Sequence, residues 1–536
     1  MQPNHRKKIT MVTFVHQLLT ESAKTAPSSP ALTYKHDCWT YQQLNDLVDR
    51  QAKALLGIHL APQQRVAIYL PKQIETVSSF LAVSLAGGVF VPVNPVLKAP
   101  QVVHILNDCN VQILITSKAR LQALEPELQN CPDLHTIVLV ENEPAQAPND
   151  LPIKIWGWQD FERHAENQSF PRMIDTHMAA ILYTSGSTGK PKGVVLSHRN
   201  IVAGAKSVAE YLEINANDKL LAVLPFSFDY GLNQLMTSLL TGASCVLLDY
   251  LLPKDVVKAL AQHRITGLAA VPPLWAQLAN IEWPDGINEH LRYMTNSGGK
   301  MPKSVLDSIR QKSPGSQFFL MYGLTEAFRS TYLPPDQIDL RPDSMGKAIP
   351  NAEILVVRDD GSRCAPHEPG ELVHKGSLVA MGYWNDPQKT AERFKPAPDQ
   401  LNELPITEIA VWSGDQVTYD EEGYLYFVGR KDDMLKTSGY RVSPTEIEEV
   451  IYASGLVKEA AAIGIEHETL GQAIIVVVGV DNPDAFDKQG LINICRTQLP
   501  NFMVPERIET LPELPKNPNG KIDRKSLSQQ FNTQPR

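Results

Sequence analysis

Cysteine is scarce in this chain: six among 536 residues, at Cys38, Cys109, Cys131, Cys245, Cys364 and Cys495. No two form a CxxC pair, and none stands with histidine at zinc-ligand spacing, which argues against a structural zinc site. Scattered thiols in a long chain fit burial in a reducing compartment, so a cytoplasmic location is expected. An excess of basic charge is also missing. Lys and Arg number 50 against 59 Asp and Glu, a formal net charge of −9. Nothing in that balance favours nucleic acid, and any phosphate site must be a local positive island. No run of about 20 apolar residues occurs, so no helix is expected to span a membrane. Arg6, Lys7 and Lys8 precede a short apolar stretch, 14–19, interrupted by His16 and Gln17, which argues against a signal peptide. Met11 is an alternative start. Internal repeats and low-complexity tracts are absent.

What is present is core-forming material: 43% hydrophobic and 20% charged residues, in a length that corresponds to roughly three to four domains or subdomains. Strand-like runs at 65–70, 89–93, 111–116 and 136–140 alternate with helical periodicity at 74–86 and 101–107. The rhythm resumes at 220–224, 245–249, 267–271, 293–295 and 318–321, with helices at 232–240, 255–263 and 303–311. Such alternation predicts parallel sheets covered by helices, in two related α/β subdomains. Segment 144–152 reads as a surface loop. From about 352 the strands shorten (353–357, 371–374, 424–428) and turns multiply, a small β-rich subdomain. Ser443, Pro444 and Glu446 read as a helix start with a capping box. A strand at 473–480 and a helix at 491–498 then predict a small α+β domain at the C-terminus.

The most informative stretch runs Tyr183-Thr184-Ser185-Gly186-Ser187-Thr188-Gly189-Lys190-Pro191-Lys192-Gly193, between apolar runs 179–182 and 194–196. Glycines allow a tight turn with N–H groups close to a ligand, while hydroxyls and lysines add donors and positive charge, which suits a polyphosphate. It is not a Walker loop. Gly186 and Gly189 stand too close together, and Pro191 follows Lys190 where that motif needs a hydroxyl.

The stretch resembles the phosphate loop of the AMP-forming adenylating enzymes: acyl-CoA synthetases, peptide-synthetase adenylation domains and beetle luciferases. The resemblance covers about 40–524 and extends to other motifs. Tyr322-Gly323-Leu324-Thr325-Glu326 is similar to the segment whose Tyr stacks adenine, whose Thr meets phosphate and whose Glu binds Mg²⁺. Ser297-Gly298-Gly299 resembles the adenine-side loop. Trp412-Ser413-Gly414-Asp415 and Arg430 resemble the ribose-binding segment. By the same resemblance Asp432 is the hinge between a large domain, 1–430, and a mobile small domain, 431–536. Lys436, Gly439 and Tyr440 lie near an incoming pantetheine, and Lys521 enters the site for adenylation.

The acyl pocket is implied at Phe228, Asp229, Tyr230, Asn233, Ala270, Thr295, Met321, Arg329 and Ser330. Phe228-Asp229 is similar to amino-acid-activating members, in which the Asp pairs with an α-amino group. The residue type alone allows a second reading, Asp229 as the cap of a helix beginning near Gly231. Arg329 requires a carboxylate on protein or ligand, because a buried lone charge is costly. The runs around 227–235 and 322–335 resemble standalone, exosortase-associated AMP-forming acyl-CoA ligases and, less closely, prolyl-AMP ligases. The implied activity is an acid–thiol ligase. ATP and a small carboxylic or amino acid give acyl-AMP, with Thr184, Glu326 and Lys521 in catalysis. CoA or a carrier-protein phosphopantetheine, supplied in trans, then takes the acyl group. The rivals are an amino acid:carrier-protein ligase, an inactive nucleotide-binding scaffold and, remotely, a luciferase-like oxygenase.

Overall fold

The computed structural model describes residues 11–142, 151–165, 168–184, 191–400, 403–430, 435–437, 440–467, 471–499, 501–518 and 520–532. The chain divides into two compact units, 1–249 with 380–388, and 250–379 with 389–536.

In the first unit an eight-stranded sheet has the order Gly382–Tyr383, Lys192–Ser197, Met178–Thr184, Val89–Pro92, Arg65–Tyr69, Val111–Thr116, Thr136–Leu139, Lys154–Gly157. The strands between 65 and 157 pair in parallel, as the βα rhythm requires. Met178–Thr184 and Lys192–Ser197 instead form an antiparallel hairpin. The helix Ile74–Leu85 ends at Ala86, and Gly87 follows at φ +79°, a left-handed stop that glycine adopts without strain. The helix expected at 101–107 begins earlier, at Ala99, because Pro100 sits in its first turn, where its missing N–H is harmless. Segment 144–152 lies mostly outside the described residues.

The second unit holds a mixed sheet. Gly267–Ala270, Tyr293–Asn296 and Gln317–Tyr322 are parallel. Thr331–Leu333, Ser344–Ala348, Leu425–Arg430, Ile409–Tyr419, Gly370–Gly376 and Ala352–Val357 then join in antiparallel pairings, in line with the β-rich subdomain expected from about 352. A further sheet follows, built from Leu435–Thr437, Tyr440–Val442, Glu459–His467, Gly471–Gly479 and Arg507–Leu511. Its core gathers Ile447, Ile451, Val476, Leu491 and Cys495. Ser443 precedes the helix Pro444–Ala453, but the expected capping box is not formed. The Ser443 hydroxyl donates to the Val428 carbonyl instead. Five of the cysteines are buried, and Cys38 is exposed at the end of an outer hairpin.

Candidate active site

In the first unit, Thr184 and Lys192 face each other across the hairpin and Tyr183 faces Gly193. A Cβ at 193 would lie 2.7 Å from Ile181 Cγ2 and 3.1 Å from Tyr183 Cζ, so glycine is what lets the Tyr183 ring lie across the partner strand. The Tyr183 hydroxyl donates to Asp108 Oδ2 at 2.5 Å, and Lys192 Nζ lies 5.5 Å from the centre of the Tyr383 ring. Ser185, Gly186, Ser187, Thr188, Gly189 and Lys190 lie outside the described residues.

The first-unit part of the expected acyl pocket is the start of the helix Asp229–Thr241. Phe228, Asp229, Tyr230 and Asn233 are all buried there. The helix begins at Asp229 itself and Phe228 occupies the cap position, so the capping reading of Asp229 is corrected. A Cβ on Gly231 would fall 2.3 Å from the Pro225 carbonyl oxygen, which is why the helix sits so tightly on the preceding turn. Three buried polar atoms here, Ser227 Oγ, Asn233 Nδ2 and Gln234 Oε1, have no hydrogen-bond partner among the described residues.

The second unit aligns the C-terminal ends of three parallel strands. Ala270 lies opposite Asn296, and Asn296 opposite Leu320. Ala270, Thr295, Ser297 and Met321 are thereby brought to one buried sheet edge, the usual place for ligands in α/β sheets. Gly298 takes φ +82°, and the Asn296 side chain donates to the Gly299 carbonyl at 3.1 Å, holding the loop closed.

After Tyr322 the chain turns back on itself. Ser330 N–H donates to the Tyr322 carbonyl at 3.2 Å. Within this turn Thr325 is buried, Glu326 is half-buried, and Phe328, fully buried, takes φ +56°. Strain of that kind in a bulky residue is costly and gathers at functional sites. The turn places Arg329 over Gly323: a Cβ at 323 would meet Arg329 Nη1 at 3.3 Å. Arg329 is 2% exposed, and Ser330 is fully buried with its hydroxyl 3.0 Å from His374 Nδ1. Burial pushes His374 down to about 3.

Tyr322 donates to Asp415 Oδ2, and Arg430 Nε donates to Asp415 Oδ1 at 3.0 Å. Burial, then the Asp415 charge, holds the Tyr322 phenol well above its usual range, so it remains a proton donor. The Asp415 N–H is in turn fixed by Ser413 Oγ at 3.1 Å.

Lys521 sits in a closed turn. Asn517 N–H donates to the Lys521 carbonyl at 2.7 Å, the Lys521 N–H donates to Asn517 Oδ1 at 3.0 Å, and Gly520 takes φ +79°. A Cβ on Gly520 would lie 3.8 Å from Val271 Cγ2, so this turn rests against the residue that follows Ala270. Lys300, next to Gly299, is ion-paired with Glu449 of the Pro444–Ala453 helix and with Asp343 at 3.2 Å. Lys436 and Tyr440 belong to the short paired strands Leu435–Thr437 and Tyr440–Val442. Asp432 and Gly439 lie outside the described residues. Among the described residues no group of three or more His, Cys, Asp or Glu forms a ready metal cage. The half-buried Glu326 carboxylate is of the kind magnesium takes, since that ion keeps waters and shares phosphate oxygens.

No sequence pattern assigns a role to His104, Asp108 or His374, which the structure sets against Pro191, Tyr183 and Ser330. For His104 and Asp108 the available signal was two titratable groups four residues apart, on one face of a helix.

Fold and sheet edge together define an α/β protein with its strand ends gathered at one candidate ligand site. The profile of AMP-binding enzymes matches residues 19–384, more than half the chain, and that of the AMP-binding enzyme C-terminal domain matches 446–521; the chain belongs to the AMP-binding enzyme family. It is 29% identical over 519 residues to tyrocidine synthase 3 of Brevibacillus parabrevis, covering 96% of this chain and 8% of that protein. Indeed, it spans only 6–11% of the length of the peptide synthases it matches. It is 28% identical to a long-chain-fatty-acid–CoA ligase of Salmonella typhimurium, covering 95% of this chain and 93% of the ligase. Among solved structures, O-succinylbenzoate coenzyme A synthetase of Bacillus subtilis, in complex with ATP and magnesium ion, superposes with a TM-score of 0.80 at 26% identity, covering 95% of this chain and 98% of that one. No helix among the described residues is long and apolar enough to cross a membrane.

Proposed function

We propose that this chain is an AMP-forming acid–thiol ligase that activates a carboxylic acid with ATP and passes the acyl group to a thiol, either CoA or a carrier-protein phosphopantetheine. The observation that carries the reading is the Lys521 turn resting on Val271, beside the sheet edge of Ala270, Thr295 and Ser297. Further support comes from the synthetase complexed with ATP and magnesium ion, whose fold this chain shares.

The chemistry explains the residue types. A carboxylate attacking an anionic α-phosphate meets charge repulsion, and one opposing pair at about 4 Å is worth about 4 kcal/mol at an effective dielectric near 20. Lys521 offsets that repulsion and orients both groups. Tyr322 stacks the base, Asp415 and Arg430 hold the ribose, and Thr184, Thr325 and Lys192 meet phosphates. Glu326 holds magnesium, which neutralises phosphate charge when bound. The small domain, 431–536, turns about Asp432 between the two half-reactions, bringing Lys436, Gly439 and Tyr440 to the pantetheine.

A polar acid, an amino acid included, is favoured over a long aliphatic one. Asp229 is buried without serving as the helix cap, and Ser227, Asn233 and Gln234 present unsatisfied polar atoms whose burial costs about 1–3 kcal/mol each until a ligand or water meets them. The test is carboxylate-dependent ATP–pyrophosphate exchange across amino, fatty and aryl acids. Exchange with at least one acid is expected. Silence with every acid would leave a nucleotide-binding scaffold. Mass analysis of the product with CoA and with a carrier protein then identifies the acceptor.

A further inference from the structure

The helix Ala99–Asp108 stands beside the hairpin and reaches both of its inner ends. His104 and Asp108 are one turn apart, so they share a face of the helix. Asp108 Oδ2 accepts the Tyr183 hydroxyl at 2.5 Å, immediately before Thr184. His104 Nε2 lies 3.2 Å from the Pro191 carbonyl, immediately before Lys192, and donates to it.

The helix end is itself anchored. Arg65 donates from Nε to the Cys109 carbonyl at 2.6 Å and from Nη2 to the Asn110 carbonyl at 3.0 Å, taking up carbonyls that a helix terminus leaves unpaired. Trp384 closes the frame. Its ring N–H donates to the Asp108 carbonyl at 2.9 Å, and its backbone N–H donates to the Gly193 carbonyl at 2.7 Å. Gly193 in turn leaves only enough room for the Tyr183 ring.

We infer that His104 and Asp108 are positioning residues: from one helix face they fix the two ends of the hairpin loop, and so the spacing of Thr184 and Lys192 that receives a polyphosphate. This rests on the phosphate role of that loop proposed above. The brace matters for ATP and pyrophosphate. An acyl-adenylate supplied ready-made has already lost the pyrophosphate, so its transfer to a thiol does not need the brace. Tyr183 suits the task because burial keeps its phenol far above the usual range and always a donor.

The experiment compares His104→Ala, His104→Gln, Asp108→Ala and Asp108→Asn by ATP affinity in calorimetry, by pyrophosphate exchange, and by thioester formation from supplied acyl-adenylate. Loss of one hydrogen bond predicts an ATP Kd raised about tenfold in each alanine variant. His104→Gln still donates and Asp108→Asn still accepts, so both should stay within about threefold of the parent. Thioester formation from acyl-adenylate should stay within about threefold throughout. Unchanged ATP affinity in the alanine variants overturns the brace. So does equal loss in the Gln and Asn variants, or a parallel fall in thioester formation. A parent protein that binds ATP but exchanges with no acid refutes the ligase reading, while the brace is still judged on ATP affinity. A parent that binds no ATP overturns both.

Discussion

The hydroxyl of Tyr322 donates to Oδ2 of Asp415, a carboxylate 93 positions further along the chain. The bond ties the end of a parallel strand to the antiparallel part of the same unit and leaves Arg430 to fix the other carboxylate oxygen. Tyr322→Phe keeps the ring and removes this bond. Hydrogen bonds to charged groups contribute about 1.5–3 kcal/mol, so the KM for ATP should rise about tenfold or more in exchange assays. An unchanged KM would show that Asp415 is positioned without Tyr322.

Lys521→Ala should lower acyl-AMP formation by about 10²–10³-fold, the scale of losing one preorganised charge at a reacting centre. Thioester formation from supplied acyl-adenylate should be largely retained. Measuring the two half-reactions separately checks this, and equal loss of both would contradict the assigned role.

Lys300 pairs with Glu449 and Asp343 and so fastens the Pro444–Ala453 helix beside the loop of Ser297, Gly298 and Gly299. The pair is partly exposed, a class contributing about 0–1 kcal/mol, so Lys300→Glu should slow exchange by no more than about fivefold. The swap Lys300→Glu with Glu449→Lys should recover most of that loss. A double variant no better than the single one would remove the contact from the adenylation step.

Asp229→Ala should depress exchange with amino acids at least about tenfold while leaving acids without an amino group nearly unchanged, because the lost contact is with the ammonium alone. A substrate profile that does not move would assign Asp229 to helix stability.

Burial lowers three histidines: His374 to about 3, His198 to about 3 and His16 to about 4. Between those values and the ordinary value of about 6.5, the unfolded chain binds protons that the folded chain does not. Stability therefore rises with pH through that window and is lost as pH falls below about 6.5. Each histidine contributes a slope of up to about 1.4 kcal/mol per pH unit. Urea unfolding between about pH 5 and 7.5 should follow this course, and His374→Gln should flatten it by about one proton.

Much of the proposed nucleotide site can be named from the sequence because it consists of short segments whose residue types carry their own chemistry. Tyr322 to Glu326, Ser297 to Gly299 and Trp412 to Asp415 each sit at a strand end or turn that the hydrophobic pattern located. Asp229 was harder. Its residue type suited both a cap and a ligand group, and the helix start at Asp229, with Phe228 at the cap position, removes the first. Ser443 occupies the cap position with Pro444 in the first turn, as expected, but its hydroxyl finds the Val428 carbonyl, a partner no local pattern names.

The chain by itself determined its family, the alternation of strands and helices, and the turns that glycine and proline permit, since these depend on neighbours a few residues away. Only the tertiary structure decided that His104 reaches Pro191, that Lys300 meets Glu449, and that the Lys521 turn lies on Val271. Apolar periodicity encodes which faces are buried. It does not encode which distant side chains share that burial, because contacts across long sequence separations are selected only when the whole core packs.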